Sequence, residues 1–255
     1  MTDVELVKEC LAARDAPRTH APPSEKRRLS LAEAYGVQDR LREALIGRGE
    51  RVAGWKAGFT TRALQETFDV SEPVCAFLLA SGVLTSGGEI PASRFVKPAV
   101  EAEIAFVMKD DLAGPGVTAA RALLAVEGAL PALELIDFRH SGKAVGADVI
   151  ADGVYAKAIV LGGALTPVRG IDLALEGLVY EQSGTVVGTA TAAEVMGTPL
   201  NALAWIANHL GGRGLGLRAG DVVMTGSVSK VLQPKAGDTV RATYTRLGSV
   251  SVRFA

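Results

Sequence analysis

The segment Pro98-Ala-Val-Glu-Ala-Glu-Ile-Ala-Phe-Val107 is predicted to form a β-strand, because its apolar and acidic side chains alternate. The apolar side chains fall on one face. Glu101 and Glu103 share the other face, about 6.6 Å apart at roughly 3.3 Å of rise per residue. Two carboxylates that close on a half-buried surface repel, so one is expected to be protonated unless a cation neutralises them. The alternative is that the pair forms the solvated face of an edge strand.

A third acid, Glu134, lies in the apolar segment Pro131-Ala-Leu-Glu-Leu-Ile136, where a solvated carboxylate is not expected. Three carboxylates without an accompanying cysteine or histidine indicate a hard metal ion that prefers oxygen, such as Mg²⁺ or Mn²⁺. The residues therefore predict a metal site at Glu101, Glu103 and Glu134, with the solvated-face alternative still open.

The composition of the 255-residue chain excludes several classes of protein. The net charge is −1 with acids and bases interspersed, so there is no basic surface for nucleic acid. No apolar run reaches the roughly 18–20 residues that span a bilayer, and the N-terminus lacks a signal-peptide pattern. Cys10 and Cys75 are the only cysteines and stand far apart, as is typical of a reducing compartment. We expect a cytoplasmic protein without a membrane partner.

Residues 1–50 are predicted to form a helical N-terminal arm. Residues 3–14 have an amphipathic pattern, and Ser30-Leu-Ala-Glu33 is a capping box that begins a second helix ending near Gly47. Three prolines in the segment Ala16–Ser24 separate the two helices, since proline interrupts helical hydrogen bonding.

From Arg51 onwards, short segments rich in valine and glycine predict strands. The predicted strands are 51–57, 98–108, 131–137, 155–162, 176–182, 185–190, 220–225, 238–245 and 248–254. Helices are predicted at Thr118–Leu130 and from Thr198 to Gly211, the second with an N-cap and a proline at its first position. This pattern favours an α+β, mostly β domain over residues 51–255 rather than a doubly wound sheet.

Several other side chains are candidates for catalysis or for binding a substrate. Lys56, between Gly54 and Gly58, either neutralises a substrate carboxylate or enolate or is a surface lysine beside a tryptophan. The Thr225 hydroxyl either binds an oxyanion or closes a turn. Asp137 and Arg139 are expected to form a salt bridge that fixes their loop. Asp152 either stabilises a turn or acts in catalysis.

The three histidines have neither metal-site nor catalytic-triad spacing, so we expect structural or solvated roles for them. His20 lies in the proline-rich segment, and His140 is predicted to be exposed. His209 lies at the C-terminus of a helix, where the helix dipole favours a histidine.

A set of ordered motifs resembles the 2-oxopent-4-enoate hydratase / 4-oxalocrotonate decarboxylase family of the fumarylacetoacetate hydrolase superfamily, from about residue 30 to the C-terminus. The motifs are Gly54-Trp-Lys-Ala-Gly58, Ser71-Glu-Pro73, Glu101-Ala-Glu103, Pro131-Ala-Leu-Glu134, Val149-Ile-Ala-Asp152, Gly197-Thr-Pro-Leu-Asn201, Ala219-Gly-Asp-Val-Val-Met-Thr-Gly226 and Leu247-Gly-Ser-Val-Ser251. Each motif alone is weak, but their order is specific.

The resemblance implies a mixed, mostly β fold with a helical N-terminal segment. It implies Mg²⁺ or Mn²⁺ on Glu101, Glu103 and Glu134, with Lys56 facing the substrate as the catalytic residue. The implied substrates are small 2-oxo- or 2-hydroxy-dienoates from the ring-cleavage pathways of aromatic compounds. The resemblance also implies a homo-oligomer and allows association with a partner enzyme of the same pathway.

One position separates two branches of this family. Hydratases of the family usually have Asp directly after Ser-x-Pro, whereas Ser71-Glu-Pro73 is followed here by Val74, which resembles the decarboxylase branch. The segments Pro115–Thr118 and Leu135–Arg139 favour the same branch. We therefore predict a 4-oxalocrotonate (2-oxohex-3-enedioate) decarboxylase, with 2-oxopent-4-enoate hydratase as the alternative.

The chain departs from the family after Ala151-Asp152, where Gly153-Val-Tyr155 replaces the usual Asn-Ala-Ser. Tyr155 either replaces the serine hydroxyl or narrows the pocket. An acylpyruvate hydrolase would need a His–Glu pair over the metal, for which His20 and Glu25 are poor candidates. The carboxylate cluster argues against a non-catalytic subunit that binds 2-oxo acids. The predicted substrate-binding residues are Val74, Arg139, Asp152, Tyr155 and Thr225.

Overall fold

The computed structural model describes residues Met1–Ala255 as six α-helices and twelve β-strands. The helices are α1 (Asp3–Asp15), α2 (Leu31–Gly47), α3 (Arg62–Thr67), α4 (Ala119–Leu124), α5 (Gly146–Ala151) and α6 (Pro199–Gly211). The strands are β1 (Val52–Gly58), β2 (Val74–Leu79), β3 (Val83–Thr85), β4 (Gly88–Ile90), β5 (Pro98–Met108), β6 (Val126–Asp137), β7 (Ala156–Leu161), β8 (Gly177–Gln182), β9 (Thr185–Thr191), β10 (Val222–Met224), β11 (Thr239–Tyr244) and β12 (Gly248–Phe254). None of the helices has the length and apolar character needed to cross a membrane.

The strands form two mixed sheets. The first sheet has seven strands in the order β2-β1-β10-β5-β6-β7-β3, and the second has five in the order β4-β12-β11-β8-β9. Parallel pairs such as β1 with β10 occur beside antiparallel pairs such as β5 with β6. The predicted α+β class is therefore confirmed.

Strands β5 and β6 are the longest pair and lie inside the seven-stranded sheet. Their antiparallel register runs from Pro98 opposite Asp137 to Met108 opposite Val126. Since β5 has β10 on one side and β6 on the other, the edge-strand alternative for Glu101 and Glu103 is wrong. Both faces of β5 are buried, apart from a partly open Glu101 and Val107 and the first residue of the strand.

The helical arm follows the prediction closely. The Ser30 hydroxyl accepts a hydrogen bond from the Glu33 amide at 3.2 Å, and the Glu33 carboxylate accepts one from the Ser30 amide at 2.8 Å, so the capping box is formed. Leu6 and Leu41 of the arm are buried in the same apolar core as the sheets. The division of the chain at residue 50 stays a prediction.

The predicted helix at Thr118–Leu130 is wrong beyond its first half. Helix α4 ends at Leu124, and β6 begins at Val126. The alanine- and leucine-rich composition suits a helix locally, but Gly128 is a poor helix residue, and pairing with the long β5 fixes this segment as a strand. The predicted strand 131–137 therefore begins five residues later than β6, and the other eight predicted strands begin and end within two residues of the observed ones. Strands β2, β3 and β4 and the short helices α3 and α5 were not predicted.

The N-cap predicted for α6 is also only partly right. Thr198 occupies the N-cap position, but its side chain makes no capping hydrogen bond. Pro199 is the first helical residue, as expected from its fixed φ angle.

Candidate metal centre

Three carboxylates meet on one face of the β5–β6 pair. Glu101 lies directly opposite Glu134 in the register, and Glu103 follows two residues along the same strand face. Residues directly opposite on one sheet face have Cβ atoms only about 5 Å apart. Each of the three residues contributes a carboxylate oxygen to a set in which all oxygens lie within 4.8 Å of one another. The sequence prediction that these acids converge is therefore supported by the geometry.

The carboxylates are buried and incompletely satisfied. Glu103 and Glu134 have no exposed surface, and Glu101 is half-buried. One Glu103 oxygen accepts a hydrogen bond from the Gly226 amide at 2.8 Å, whereas Glu103 Oε1 and Glu134 Oε1 have no hydrogen-bond partner. Buried ionised carboxylates are costly unless a cation or a donor compensates them. The unpartnered oxygens and the all-oxygen donor set fit a hard divalent cation such as Mg²⁺ or Mn²⁺.

The pKa values of all three carboxyl groups are raised. Burial, followed by the charge of Glu134, raises the pKa of Glu101 to about 7. Burial and the neighbouring carboxylates also raise the pKa of Glu103. Burial raises the pKa of Glu134 even though Lys56 opposes the shift. A divalent cation at this position would reverse these shifts, because it favours the ionised carboxylates.

Lys56 lies beside the carboxylates on β1. Its Nζ is 2.7 Å from Glu134 Oε2 and donates a hydrogen bond to the Val154 carbonyl at 3.4 Å. The side chain is 2% exposed, so the surface-lysine interpretation is wrong. Burial alone would lower the pKa of Lys56, but the charges of Glu134, Glu101 and Glu103 outweigh burial and raise it. Lys56 is therefore an ammonium group at neutral pH.

Gly54 allows Lys56 to reach this position. It has a φ of +152°, and a Cβ atom there would collide with the Val222 backbone of the neighbouring strand β10. The close backbone approach that glycine permits is made here to the neighbouring strand β10. Trp55 and Lys56 then pair with Val223 and Met224 in the centre of the sheet.

An apolar cavity of about 100 Å³ opens above Lys56 and Glu101. Phe59 and Phe68 stack on one part of its wall with ring centroids 4.3 Å apart. Tyr155 meets Phe138 edge to face at 5.4 Å elsewhere on the wall. Besides Lys56, Glu101 and the Tyr155 hydroxyl, the lining is apolar. A wider cleft of about 680 Å³ shares Glu101 and carries Thr60, Ser227 and Lys230.

Comparison with known proteins places the chain in a family. The family model described as fumarylacetoacetate (FAA) hydrolase, C-terminal, matches residues 46–255. The chain belongs to the fumarylacetoacetate hydrolase family. It is 35% identical over 227 residues to the 4-oxalocrotonate decarboxylase of Pseudomonas sp. (strain CF600), covering 89% of this chain and 86% of that protein. It is 33% identical over 234 residues to the 2-oxo-hept-4-ene-1,7-dioate hydratase of Escherichia coli, covering 89% and 87%.

A solved structure extends the similarity over the whole chain. The 4-oxalocrotonate decarboxylase from Pseudomonas putida G7, complexed with magnesium and adipate, superposes with a TM-score of 0.95 at 31% identity. The superposition covers 99% of this chain and 97% of that chain, so it includes the N-terminal helices. The family and the fold implied by the ordered motifs are both confirmed.

In this member of the fumarylacetoacetate hydrolase family, Arg139 and Asp152 form a buried ion pair behind the cavity. Arg139 Nη2 is 2.8 Å from Asp152 Oδ2, and its Nε donates to the same oxygen at 2.9 Å. Burial would raise the pKa of Asp152, but Arg139 and then Arg14 lower it overall. The two residues do not line the cavity. Arg139 therefore pairs with Asp152 and not with the expected Asp137, which accepts from the Val96 and Lys97 amides instead. The predicted contacts of Arg139 and Asp152 with a substrate stay predictions.

Val74 and Thr225 also lie next to the site without lining the cavity. Val74 is buried on β2 opposite Gly58, which does line the cavity. The Thr225 hydroxyl donates to the Ile104 carbonyl of β5 at 2.8 Å, so it ties the end of β10 to β5, and the next amide, that of Gly226, reaches Glu103. Their predicted contacts with a substrate stay predictions.

Tyr155 lines the cavity from an unusual backbone conformation. Gly153, Val154 and Tyr155 have consecutive positive φ angles of +74°, +51° and +57°. A β-branched or bulky residue in this region costs of order 1–3 kcal/mol and persists where the surroundings enforce it. The Tyr155 carbonyl accepts from the Asp137 amide at 3.0 Å, and the Val154 amide donates to the Val149 carbonyl at 2.8 Å. This left-handed turn places the Val154 carbonyl against Lys56.

The expectation of an exposed His140 is wrong. The ring is partly buried, because the proline-rich segment of the arm covers it and brings His20 to a centroid distance of 4.7 Å. Burial lowers the pKa of His140 to about 4, so the imidazole is neutral at neutral pH. Sequence spacing gave no signal for this contact, because the two histidines are far apart in the chain.

Proposed function

We propose that the chain is a lyase dependent on a divalent metal that acts on small 2-oxo- and 2-hydroxy-dienoates, and specifically a 4-oxalocrotonate decarboxylase. The observation that carries this proposal is the cluster of three buried carboxylates with Lys56 at the floor of an apolar cavity. The relatives named as 4-oxalocrotonate decarboxylases support it, including the structure complexed with magnesium and adipate, a six-carbon dicarboxylate.

Glu101, Glu103 and Glu134 would hold the metal ion, Mg²⁺ or Mn²⁺. When bound, the ion supplies a Lewis acid that orients the 1-carboxylate and 2-oxo groups of the substrate and favours an enolate. Gly226 keeps one Glu103 oxygen in place through its amide, which leaves the other oxygen to the ion. Thr225 supports this arrangement, because its hydroxyl bonds the Ile104 carbonyl of β5 and so fixes the chain just before Gly226.

Lys56 supplies the fixed positive charge of the site. Its ammonium group lies 2.7 Å from Glu134 and borders the cavity, so it can stabilise negative charge that develops on the substrate. In 2-oxohex-3-enedioate the bond from carbon 5 to carbon 6 breaks and carbon dioxide leaves. The electron pair shifts through carbons 5, 4 and 3 to the oxygen on carbon 2. Protonation of that oxygen, for which Lys56 is a possible donor, gives 2-hydroxypenta-2,4-dienoate.

The cavity wall favours decarboxylation over water addition. A carboxylate that enters an apolar space loses solvation, and the loss of carbon dioxide moves its charge away from that space to the oxygen on carbon 2. Beyond Glu101, the lining of this cavity holds no further carboxylate, and Glu194 lies in the wider cleft instead. The apolar Val74 in place of an acid agrees with this preference.

A 2-oxopent-4-enoate hydratase is the second candidate. The observation that favours it is that hydratases match the chain as well as decarboxylases do, among them the 2-hydroxyhexa-2,4-dienoate hydratase of Comamonas testosteroni at 34% identity over 244 residues, 93% of this chain and 91% of that protein. In that reaction the dienol would tautomerise and water would add at carbon 4. Glu194 of the wider cleft is the carboxylate outside the metal cluster that could assist it.

The two candidates differ in their products. Metal-stripped protein should be given 2-oxohex-3-enedioate with and without Mg²⁺, while ultraviolet absorbance and released carbon dioxide are followed together. The proposal predicts metal-dependent substrate loss with one carbon dioxide per substrate consumed. Consumption of 2-hydroxypenta-2,4-dienoate without any carbon dioxide from the diacid would establish the hydratase instead. Inactivity toward both substrates would refute both candidates.

We also propose that the protein is cytoplasmic and forms a homo-oligomer, with association with an enzyme of the same pathway as a further expectation. These proposals rest on the family resemblance and on the absence of a membrane-spanning helix. Light scattering of the purified protein would measure its oligomeric state.

A further inference from the structure

His140 lies outside the cavity but touches one of its walls. Its Nδ1 is 2.6 Å from the Tyr155 hydroxyl oxygen, and the two rings meet at a centroid distance of 5.3 Å. This is the only hydrogen bond of the imidazole, because Nε2 is buried without a partner. The contact is therefore the single polar interaction that this side chain makes.

The N-terminal arm fixes His140 from behind. The His20 amide donates to the Arg139 carbonyl at 3.0 Å, and the Ser141 amide donates to the His20 carbonyl at 2.9 Å. These bonds pair the arm with the segment on both sides of His140. The His20 ring packs against the His140 ring, so the imidazole has little freedom to turn away from Tyr155.

The wall that His140 holds consists of the Tyr155 ring. Tyr155 lines the cavity, is 6% exposed and packs edge to face on Phe138. Its backbone is in the left-handed region, where a bulky residue stays only if its surroundings hold it. Behind the ring lies the Arg139 guanidinium, 6.0 Å from the ring centroid. Removing the ring would therefore extend the cavity toward Arg139.

We propose that His140 is a positioning residue that holds the Tyr155 ring against Phe138, and that this ring sets the longest 2-oxo acid that the cavity accepts. The choice of 2-oxo acids rests on the proposed function. The length limit itself rests on the cavity, the left-handed turn and the bond from His140 to the Tyr155 hydroxyl.

The side chains of Cys10, His20 and Asp152, which lie close to Tyr155, do not form a second metal site. Cys10, His20 and Asp152 each bring a potential ligand atom within 4.8 Å of the others. Asp152, however, is already paired with Arg139 at 2.8 Å, and its carbonyl accepts from Arg14 at 2.6 Å. Two guanidinium groups at this point would repel a divalent cation. The residues therefore form a structural support for the turn.

The proposal is tested by binding, independently of turnover. Saturated 2-oxo acids of increasing length, from pyruvate to 2-oxooctanoate, are titrated calorimetrically into protein with Mg²⁺. The wild-type protein should show a length beyond which affinity drops. In Tyr155→Ala, affinity should keep rising beyond that length by about fourfold per methylene, the gain expected for burying one CH₂ group.

Variants of His140 separate positioning from folding. His140→Ala and Tyr155→Phe both remove the hydrogen bond and should shift the length limit in the same direction as Tyr155→Ala, but less. The double variant should shift it no further than either single variant. His140→Asn, whose side-chain amide places a polar atom where Nδ1 stands, should restore the wild-type limit. His209→Asn is the matched control, since His209 stacks on Trp205 away from the cavity.

Three results would overturn the inference. An unchanged length limit in Tyr155→Ala would show that the ring does not close the cavity. An unchanged limit in both His140→Ala and Tyr155→Phe would remove the positioning role of His140. Failure of every 2-oxo acid to bind the wild-type protein with Mg²⁺ would refute the proposed function itself, and with it the choice of ligand.

Discussion

Glu103 is a fully buried carboxylate, and a bound cation would offset the cost of burying its charge. It has no exposed surface, and burial together with the neighbouring acids raises its pKa. We expect Glu103→Gln to stabilise the metal-free protein by about 1 kcal/mol or more, because a neutral amide removes the repulsion and much of the burial cost. Urea denaturation in the presence of a chelator measures the free energy of unfolding.

Glu127 provides the control for this change. It lies exposed on the same strand, β6, as Glu134, so Glu127→Gln should leave the free energy of unfolding unchanged. A metal-free Glu103→Gln protein that is less stable than the wild type would show that the cluster is well satisfied without a cation.

Lys56 is expected to matter for turnover rather than for metal binding. In Lys56→Met we expect kcat to fall by about 10²–10⁴-fold, the usual range for losing a positioned acid. Mg²⁺ should bind at least as tightly, because a positive charge 2.7 Å from Glu134 is removed. Steady-state kinetics and calorimetry measure the two quantities. Retained kcat, or metal binding lost together with kcat, would contradict the role given to Lys56.

For single residues, the sequence predicts a role where the neighbouring residues in the chain determine it. The spacing of Glu101 and Glu103 and the apolar surroundings of Glu134 predicted three converging acids. The burial of Lys56 and of His140 was not predictable from their neighbours in the chain. Each depends on contacts with distant segments, Val154 for Lys56 and Tyr155 and His20 for His140.

Among the elements near the site, strand β1 approaches strand β10 very closely at Gly54. A Cβ atom at Gly54 would collide with the Val222 backbone, and its φ of +152° suits glycine alone. We expect Gly54→Ala to lower the free energy of unfolding by about 2 kcal/mol or more. The effect should also reduce activity, since Lys56 lies two residues further along β1.

Gly188 is the matched strand glycine. It lies on β9 with ordinary φ and with open space where a Cβ atom would stand, so Gly188→Ala should be close to neutral. Chemical denaturation of the two variants side by side checks the comparison. Equal stability losses would show that the β1–β10 approach is looser than the structure describes.

The elements also show where sequence patterns mislead. Strand β5 was predicted with its observed bounds, because alternation of side chains is a strong local signal. The second half of Thr118–Leu130 became part of β6, because its pairing with β5 outweighs a local helical composition. Strand β2 is a short apolar run whose type could not be decided from periodicity.

For the whole molecule, metal binding and stability should be linked through pH. With a pKa of about 7, Glu101 in the metal-free protein keeps a proton that an unfolded carboxyl would have lost. Its contribution to stability therefore falls as pH rises from the ordinary carboxyl range through about 7. Mg²⁺ must displace that proton at lower pH, so it binds more weakly there.

We therefore expect Mg²⁺ to raise the Tm more at about pH 8 than at about pH 6. Thermal unfolding at a fixed Mg²⁺ concentration measures the difference. In Glu103→Gln the increase in Tm should be lost at both pH values. A stabilisation by Mg²⁺ that does not vary with pH would contradict the titration of this cluster.

The order of strands could not be derived from local patterns. The seven-stranded sheet places β10 between β1 and β5, and β3 beside β7, so its neighbours are far apart in sequence. Only the resemblance carried by ordered motifs indicated this architecture. The same long-range order brings Lys56 from β1, Glu101 from β5 and Glu134 from β6 to one point.

The most direct test is a titration of the metal-free protein with Mn²⁺ followed by electron paramagnetic resonance. We expect one bound Mn²⁺ per chain, with a spectrum that changes when pyruvate is added. Glu103→Gln should bind none at the same concentrations, while Glu127→Gln binds as the wild type does. Undiminished Mn²⁺ binding by Glu103→Gln, or a wild-type spectrum that pyruvate does not alter, would contradict a 2-oxo acid site built on these three carboxylates.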